Sequence, residues 1–410
     1  MQKYKHYKDS GIDWIGNVPE HWEIVKLKHI FREKPKTLNS TLSAGSISFG
    51  KVIYKNDEKI LESTKASYQE VLEGDFLINP LNLNYDLISL RIALSAINVV
   101  VSSGYIVLQD VKGINKEFYR WFLHQYDVSY MKLLGSGVRQ TINFNHIANS
   151  LLAFPPIQEQ EAIASFLDEK IAKIEALVQT KEQQIEKLKE LRQAKIHQAV
   201  TKGFDTSAPT KDSGVEWIGE IPEHWEIVKL KHIFREKPKT LNSTLSAGSI
   251  SFGKVIYKND EKILESTKAS YQEVLEGDFL INPLNLNYDL ISLRIALSAI
   301  NVVVSSGYIV LQDVKGINKE FYRWFLHQYD VSYMKLLGSG VRQTINFNHI
   351  ANSLLAFPPI QEQEQIVAYL DEVISKIDQA IVQKQEQITK LKEYKQSLIN
   401  DVVTGKVKVF

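Results

Sequence analysis

Cysteine is absent from this 410-residue chain. That one absence excludes a disulfide framework, thiolate zinc sites and a cysteine nucleophile together. It is compatible with a reducing cytoplasm, where the protein is expected to reside. Long apolar runs are missing too. No stretch approaches the roughly 18 residues of a membrane-spanning helix, and the start, MQKYKHYKDSG, has no apolar signal region, so neither spanning nor export is expected. Net charge is close to nil. The 49 Lys and Arg against 48 Asp and Glu leave +1 and a pI near 7.8, so no overall basic field announces a polyanionic partner. What remains is ordinary: 44% hydrophobic and 24% charged residues can build sizeable soluble cores.

The unusual feature is a repeat. The 143 residues from Pro19 to Glu161 recur without change from Pro222 to Glu364, an offset of 203. The register extends outside the identical block: Lys8–Gly11 matches Lys211–Gly214, and the segments after Glu161 and Glu364 are diverged copies. One unit of about 200 residues is therefore written twice. Two copies are too few for a solenoid and point to internal two-fold symmetry.

Each unit has two parts. In the first, Lys51–Tyr54, Asp75–Ile78, Val99–Val101 and Tyr105–Leu108 read as strands, being short, β-branched and bounded by turn residues. Asn115 to Leu134 reads as a helix capped by Asn115, with Phe118, Trp121 and Phe122 on a core-facing stripe. The second part opens at Pro155-Pro156 and carries a heptad seam, Leu167, Ile171, Ile174, Val178, Lys181, Ile185 and Leu188. Leu370, Ile374, Ile377, Ile381, Lys384, Ile388 and Leu391 repeat it, with a lysine in the same slot. Helices of about 35 to 40 residues run roughly 50–60 Å. The short polar linker at 204–210 cannot bring the chain back along that length, so the helices are expected to pair antiparallel. The predicted fold class is α+β: a globular domain over 1–156, a helix over 157–203, the linker, a second globule over 211–359 and a helix over 360–410. The expected product is a dumbbell with pseudo-two-fold symmetry.

Catalytic motifs fail on inspection. Gly45-Ser46-Ile47-Ser48-Phe49-Gly50-Lys51-Val52 nearly spells a phosphate-binding loop, but Val52 replaces the magnesium-binding hydroxyl and a strand-like segment follows instead of a helix. Phe154-Pro155-Pro156-Ile157 lacks the polar residue that would hold an amine for methyl transfer. His21, His29, His124 and His146 have no metal-ligand spacing and read as structural. Asp57, Glu62 and Lys65 form an acidic match that charge density alone generates.

Polar clusters suited to recognition survive. The basic run contributes Lys26, Lys28, Arg32, Lys34 and Lys36, repeated as Lys229, Lys231, Arg235, Lys237 and Lys239. A first loop offers Asn79, Asn82, Asn84 and Tyr85 with Arg91 beyond it, repeated as Asn282, Asn285, Asn287, Tyr288 and Arg294. A second offers Ser136, Arg139, Gln140, Thr141 and Asn143, repeated as Ser339, Arg342, Gln343, Thr344 and Asn346. Asn and Gln bond adenine edges bidentately, Arg does so for guanine, and hydroxyls suit phosphates.

Several of these segments resemble type I restriction–modification specificity subunits. Asp9 to Trp22 and Asp212 to Trp225 resemble the opening of that family's target-recognition domains. Gly137-Val138-Arg139-Gln140-Thr141-Ile142-Asn143 and the Phe154 to Gln160 entry into the long helix are similar as well. The resemblance covers the whole chain in the family's order of domain, helix, domain, helix. It implies a non-catalytic reader of double-stranded DNA that binds no cofactor itself. Its partners would be two methyltransferase subunits, which hold S-adenosylmethionine, and two restriction subunits. Members usually carry two different recognition domains; here they are identical, which implies a palindromic bipartite site. Two other readings stand beside it: a symmetric coiled-coil scaffold for protein partners, and a self-contained enzyme, for which no catalytic constellation is present.

Overall fold

In the computed structural model, residues 2–39, 41–81, 90–131, 142–205, 207–242, 244–284, 293–334 and 345–410 are described. They form two compact units, Met1–Glu182 with Glu386–Phe410, and Gln183–Gln385. The division does not follow the order of the sequence. Each unit takes a globule, the first half of the long helix that leaves it, and the second half of the other long helix.

The first globule is built from strands mostly three or four residues long. Strands β1 (Tyr7–Asp9) and β2 (Asn17–Pro19) form one antiparallel pair, and β3 (Glu23–Lys26) pairs with β12 (Leu151–Phe154). A four-stranded antiparallel sheet runs β4 (Phe31–Glu33), β11 (Ile106–Asp110), β8 (Phe76–Ile78), β9 (Ile92–Leu94). Beside it lie the hairpin β5 (Gly45–Ser48) and β6 (Lys51–Tyr54), and the pair β7 (Gln69–Val71) and β10 (Val99–Val101). The short helix α1 is Glu62–Lys65. The near-match to a phosphate loop is thus a plain β-hairpin, and the missing hydroxyl is consistent with that.

Helix α2 (Lys116–Ser129) starts at Asn115, whose Oδ1 accepts from Phe118 N at 2.9 Å, satisfying one of the helix's free donors. Its aromatic stripe is core: Phe118 and Phe122 are fully buried and Trp121 nearly so, with Tyr119 and Tyr126 edge-on to their neighbours. Helix α3 (Phe144–Ile147) is a single turn. The long helix α4 runs Ile157–Lys202 and its counterpart Ile360–Val403, both longer than the seam alone indicates.

In the first unit the two long-helix segments run antiparallel: Lys181 Nζ donates to Gln387 Oε1 at 2.6 Å, and Lys395 Nζ to Glu175 Oε1 at 2.6 Å. The second unit does likewise, through Lys384 Nζ to Gln184 Oε1 at 2.6 Å and Arg192 Nε to Asp378 Oδ1 at 2.9 Å. Both seam lysines therefore turn their ammonium groups outward to a glutamine of the facing helix. The globule cores extend into this pairing. Leu398, Ile399, Val402 and Val403 are buried among the first globule's aromatics, and Ile196, Ala199 and Val200 occupy the same slots in the second.

Two side chains pin each globule to the helix that leaves it. Glu159 accepts from Trp22 Nε1 at 2.8 Å and pairs with His21 Nε2 at 2.5 Å; Gln160 Oε1 accepts from Asn115 N at 2.9 Å while its Nε2 donates to Pro155 O at 2.8 Å. Glu362 and Gln363 repeat this with Trp225, His224, Asn318 and Pro358.

Both long helices end on a left-handed glycine, Gly203 (φ 71°) and Gly405 (φ 74°). A Cβ at Gly405 would collide with Pro19 Cδ, whereas at Gly203 the nearest atom is Glu362 Oε1 at 3.3 Å. Gly203→Ala is therefore expected to cost about 1–2 kcal/mol, from the backbone alone. Gly405→Ala should cost about 1–3 kcal/mol more through overpacking. Urea unfolding of the two variants checks this order.

Candidate nucleic-acid interface

Both polar loops leave and rejoin the globule at one edge. After β8, Asn79 N donates to Arg91 O at 2.8 Å, and Ile142 N donates to Pro80 O at 3.2 Å. The residues before and after 82–89 are thus tied to the residue that closes 132–141. Asn82, Asn84, Tyr85, Ser136, Arg139, Gln140 and Thr141 lie outside the described residues, as do Asn285, Asn287, Tyr288, Ser339, Arg342, Gln343 and Thr344.

An ion pair lies between the loop roots. Arg91, just past the first loop, is 5% exposed, and Asp127, on the last turn of α2 before the second, is fully buried. Asp127 accepts from Arg91 Nε at 3.0 Å and from its backbone N at 2.6 Å. Both Nη atoms are buried without a hydrogen-bond partner. Arg294 and Asp330 repeat the arrangement at 2.9 and 2.7 Å. Arg91 and Arg294 are therefore internal struts of the loop roots and not surface cations.

The basic run divides. Lys26, Lys28, Arg32 and Lys36 are exposed, with Lys36 Nζ on Ser103 O at 2.8 Å. Lys34 is not: it is 8% exposed and paired with Asp75 at 2.8 Å and Glu70 at 3.5 Å. The second unit matches, with Lys229, Lys231, Arg235 and Lys239 exposed and Lys237 buried against Asp278 and Glu273. Lys34 and Lys237 are corrected to core ion pairs, because a desolvated ammonium this well paired has no reason to leave. Leu27 N to Ser150 O (2.8 Å) and Lys28 N to Ala148 O (2.9 Å) set the start of the run beside α3 and the closing root of the second loop.

Two asparagines are likewise committed to local structure. Asn143 caps α3 in a reciprocal box, Oδ1 accepting from His146 N at 3.3 Å and its own N donating to His146 Nδ1 at 3.0 Å; Asn346 and His349 do the same. Asn79 Oδ1 accepts from Leu81 N at 3.1 Å in an Asx turn, and Asn282 from Leu284 N. Among the described residues no three His, Asp or Glu side chains converge as a metal would need, and no helix is long and apolar enough to cross a membrane.

On α2's counterpart, Lys319–Ser332, burial pushes the His327 imidazole down to about 4, with Arg323 beside it adding to the effect. The unfolded chain takes up that proton near 6.5 and the folded chain resists until about 4. Stability is therefore present above this window and lost as pH falls through it, by about 1–3 kcal/mol. Denaturant melts between pH 7 and 4 should show a shallower loss in His327→Gln.

The Type I restriction modification DNA specificity domain profile matches residues 19–187 and again 222–390. The chain belongs to that family. Among curated specificity subunits it is similar to the MjaVIII type I restriction enzyme subunit of Methanocaldococcus jannaschii, at 23% identity over all of this chain and 98% of the relative. A putative MjaX specificity subunit from the same organism is 26% identical, with 100% and 99% covered. Two solved structures share the specificity-subunit fold. A chain from a study of assembly and conformational transition of the type I R-M system has a TM-score of 0.68 at 16% identity, covering 95% of this chain and 99% of that one. The HsdS subunit of Thermoanaerobacter tengcongensis has 0.52 at 16%, covering 95% and 98%.

Proposed function

We infer that the chain reads a bipartite palindrome in double-stranded DNA and directs adenine methylation, or cleavage, by partner subunits. The observation that carries this is the identity of the two globules, each presenting the same paired loop roots with exposed Lys26 and Lys28, or their copies, set near the closing root of the second loop. Identical readers see the same half-site, and helices that pair antiparallel favour reading it on opposite strands. The chain itself binds no cofactor and performs no chemistry. Two methyltransferase subunits supply S-adenosylmethionine and extrude the target base, and two restriction subunits join for cleavage. The complex works in the cytoplasm.

The test is a methylome of cells carrying this gene with its methyltransferase partner. The expected result is one half-sequence and its inverted copy, with centres about one helical turn, roughly 10 bp, apart. Two unrelated half-sequences, or no new methylation, would sink the reading.

A further inference from the structure

We propose that the β5–β6 ribbon enters the major groove and that Phe49, with its copy Phe252, packs there on a thymine methyl. This rests on the DNA-reading function above and adds a third reading element to the two loops.

The hairpin turns through two residues, Phe49 at φ 47° and Gly50 at φ 72°. Such a turn needs the left-handed region at both positions, and Asn, Asp or Gly normally takes the first. A phenylalanine there is a steric outlier. Its ring gains nothing from the core in return, because Phe49 is 70% exposed, as is Phe252. Local folding preference and the chosen residue thus disagree at the tip, which is where function tends to override stability.

The rest of the ribbon fits a groove. Ile47 and Val52, cross-strand partners, pack against the small core of Val71, Leu77, Val99 and Val101. By strand alternation the opposite face carries Ser48 and Lys51 near the tip, groups that bond phosphates and base edges, with exposed Ile53 behind them. The tip also stands at the right place. A Cβ on Gly50 would lie 2.8 Å from Leu90 Cδ1, and on Gly253 2.9 Å from Leu293 Cδ1. Leu90 directly precedes Arg91, so the tip borders the root of the first loop on the proposed DNA edge. The major groove is wide enough to admit a two-stranded ribbon, and the thymine methyl is the apolar group displayed on that groove's base edges.

The test uses the full chain assembled with its methyltransferase partner, comparing wild type with Phe49→Asn/Phe252→Asn. Probes are a duplex bearing the methylome motif, the same duplex with each thymine replaced by uracil, and an unrelated duplex. The variant should melt at least as high as wild type, since asparagine suits the turn. Its affinity for the motif should fall about tenfold or more, with affinity for unrelated DNA unchanged. One thymine-to-uracil change per half-site should weaken wild type and leave the variant indifferent. Unchanged motif affinity in the variant, while wild type still binds and methylates its motif, overturns the ribbon's role and spares the reading function. Equal loss on all DNA, loss of assembly with the methyltransferase, or a half-site without thymine also overturns it. Failure of wild type to bind the motif defeats the underlying reading instead.

Discussion

A chain cut to Lys211–Phe410 is expected to be an obligate homodimer that directs methylation of the same palindrome as the whole protein. In the intact chain its globule is completed by Ile196, Ala199 and Val200, which the cut removes. Its own helix end, Leu398, Ile399, Val402 and Val403, is buried against a globule that is now missing. A monomer would expose those four side chains and leave the matching slot open, a loss on the order of 6–12 kcal/mol at about 1.5–3 kcal/mol per side chain. That rivals the whole stability of a domain. A second copy repairs both defects, because Ile399 and Val403 stand where Ile196 and Val200 stood, 203 residues on. Sedimentation should show a dimer with activity that rises steeply with concentration, the halves no longer being tethered. A stable monomer, or a dimer methylating another sequence, defeats the expectation.

Asp127→Ala should be the most damaging single change in the first globule away from its aromatic core. It strips the buried Arg91 of its counter-charge, leaving a desolvated guanidinium, at a cost of about 3–5 kcal/mol. Arg91→Met with Asp127→Leu removes both charges and should recover most of that stability. The pair braces the roots of both loops, so the double variant should fold in urea titrations yet lose discrimination at one half-site. Full recovery of both properties would reduce the pair to packing.

The large features were legible because they are periodic or repeated. The heptad seam, the Asn115 cap and the aromatic stripe of α2 each depend on residues a few positions apart. Strands of three residues, such as Ile92–Leu94, are too short to establish a period of two. The fates of Lys34 and Arg91 were hidden for another reason. Their partners, Asp75 and Asp127, lie 41 and 36 residues away, and a cation reads as surface until the fold brings a distant carboxylate to it, Asp75 from just before β8 and Asp127 from α2. The same holds for Glu159 and Gln160. They read as the start of a helix, whereas their side chains reach back 137 and 45 residues to Trp22 and Asn115. Lys26, Lys28, Arg32 and Lys36 do lie on the surface, as charge alone suggests. Phe49 reads in the sequence as an ordinary hydrophobe; its left-handed φ and exposed ring emerge only from the fold.

The pin between Trp22 and Glu159 also governs how such a chain can change by inheritance. Both partners lie inside the duplicated block Pro19 to Glu161, so a block exchanged whole between genes brings its own fastening to the helix. A crossover falling between them would instead join a Trp22 and a Glu159 with different histories. The slot filled by the returning helix obeys a different rule, since its occupants lie outside the block. Identical globules here accept Ala199 in one case and Val402 in the other. A reader able to move between specificity genes needs that tolerance.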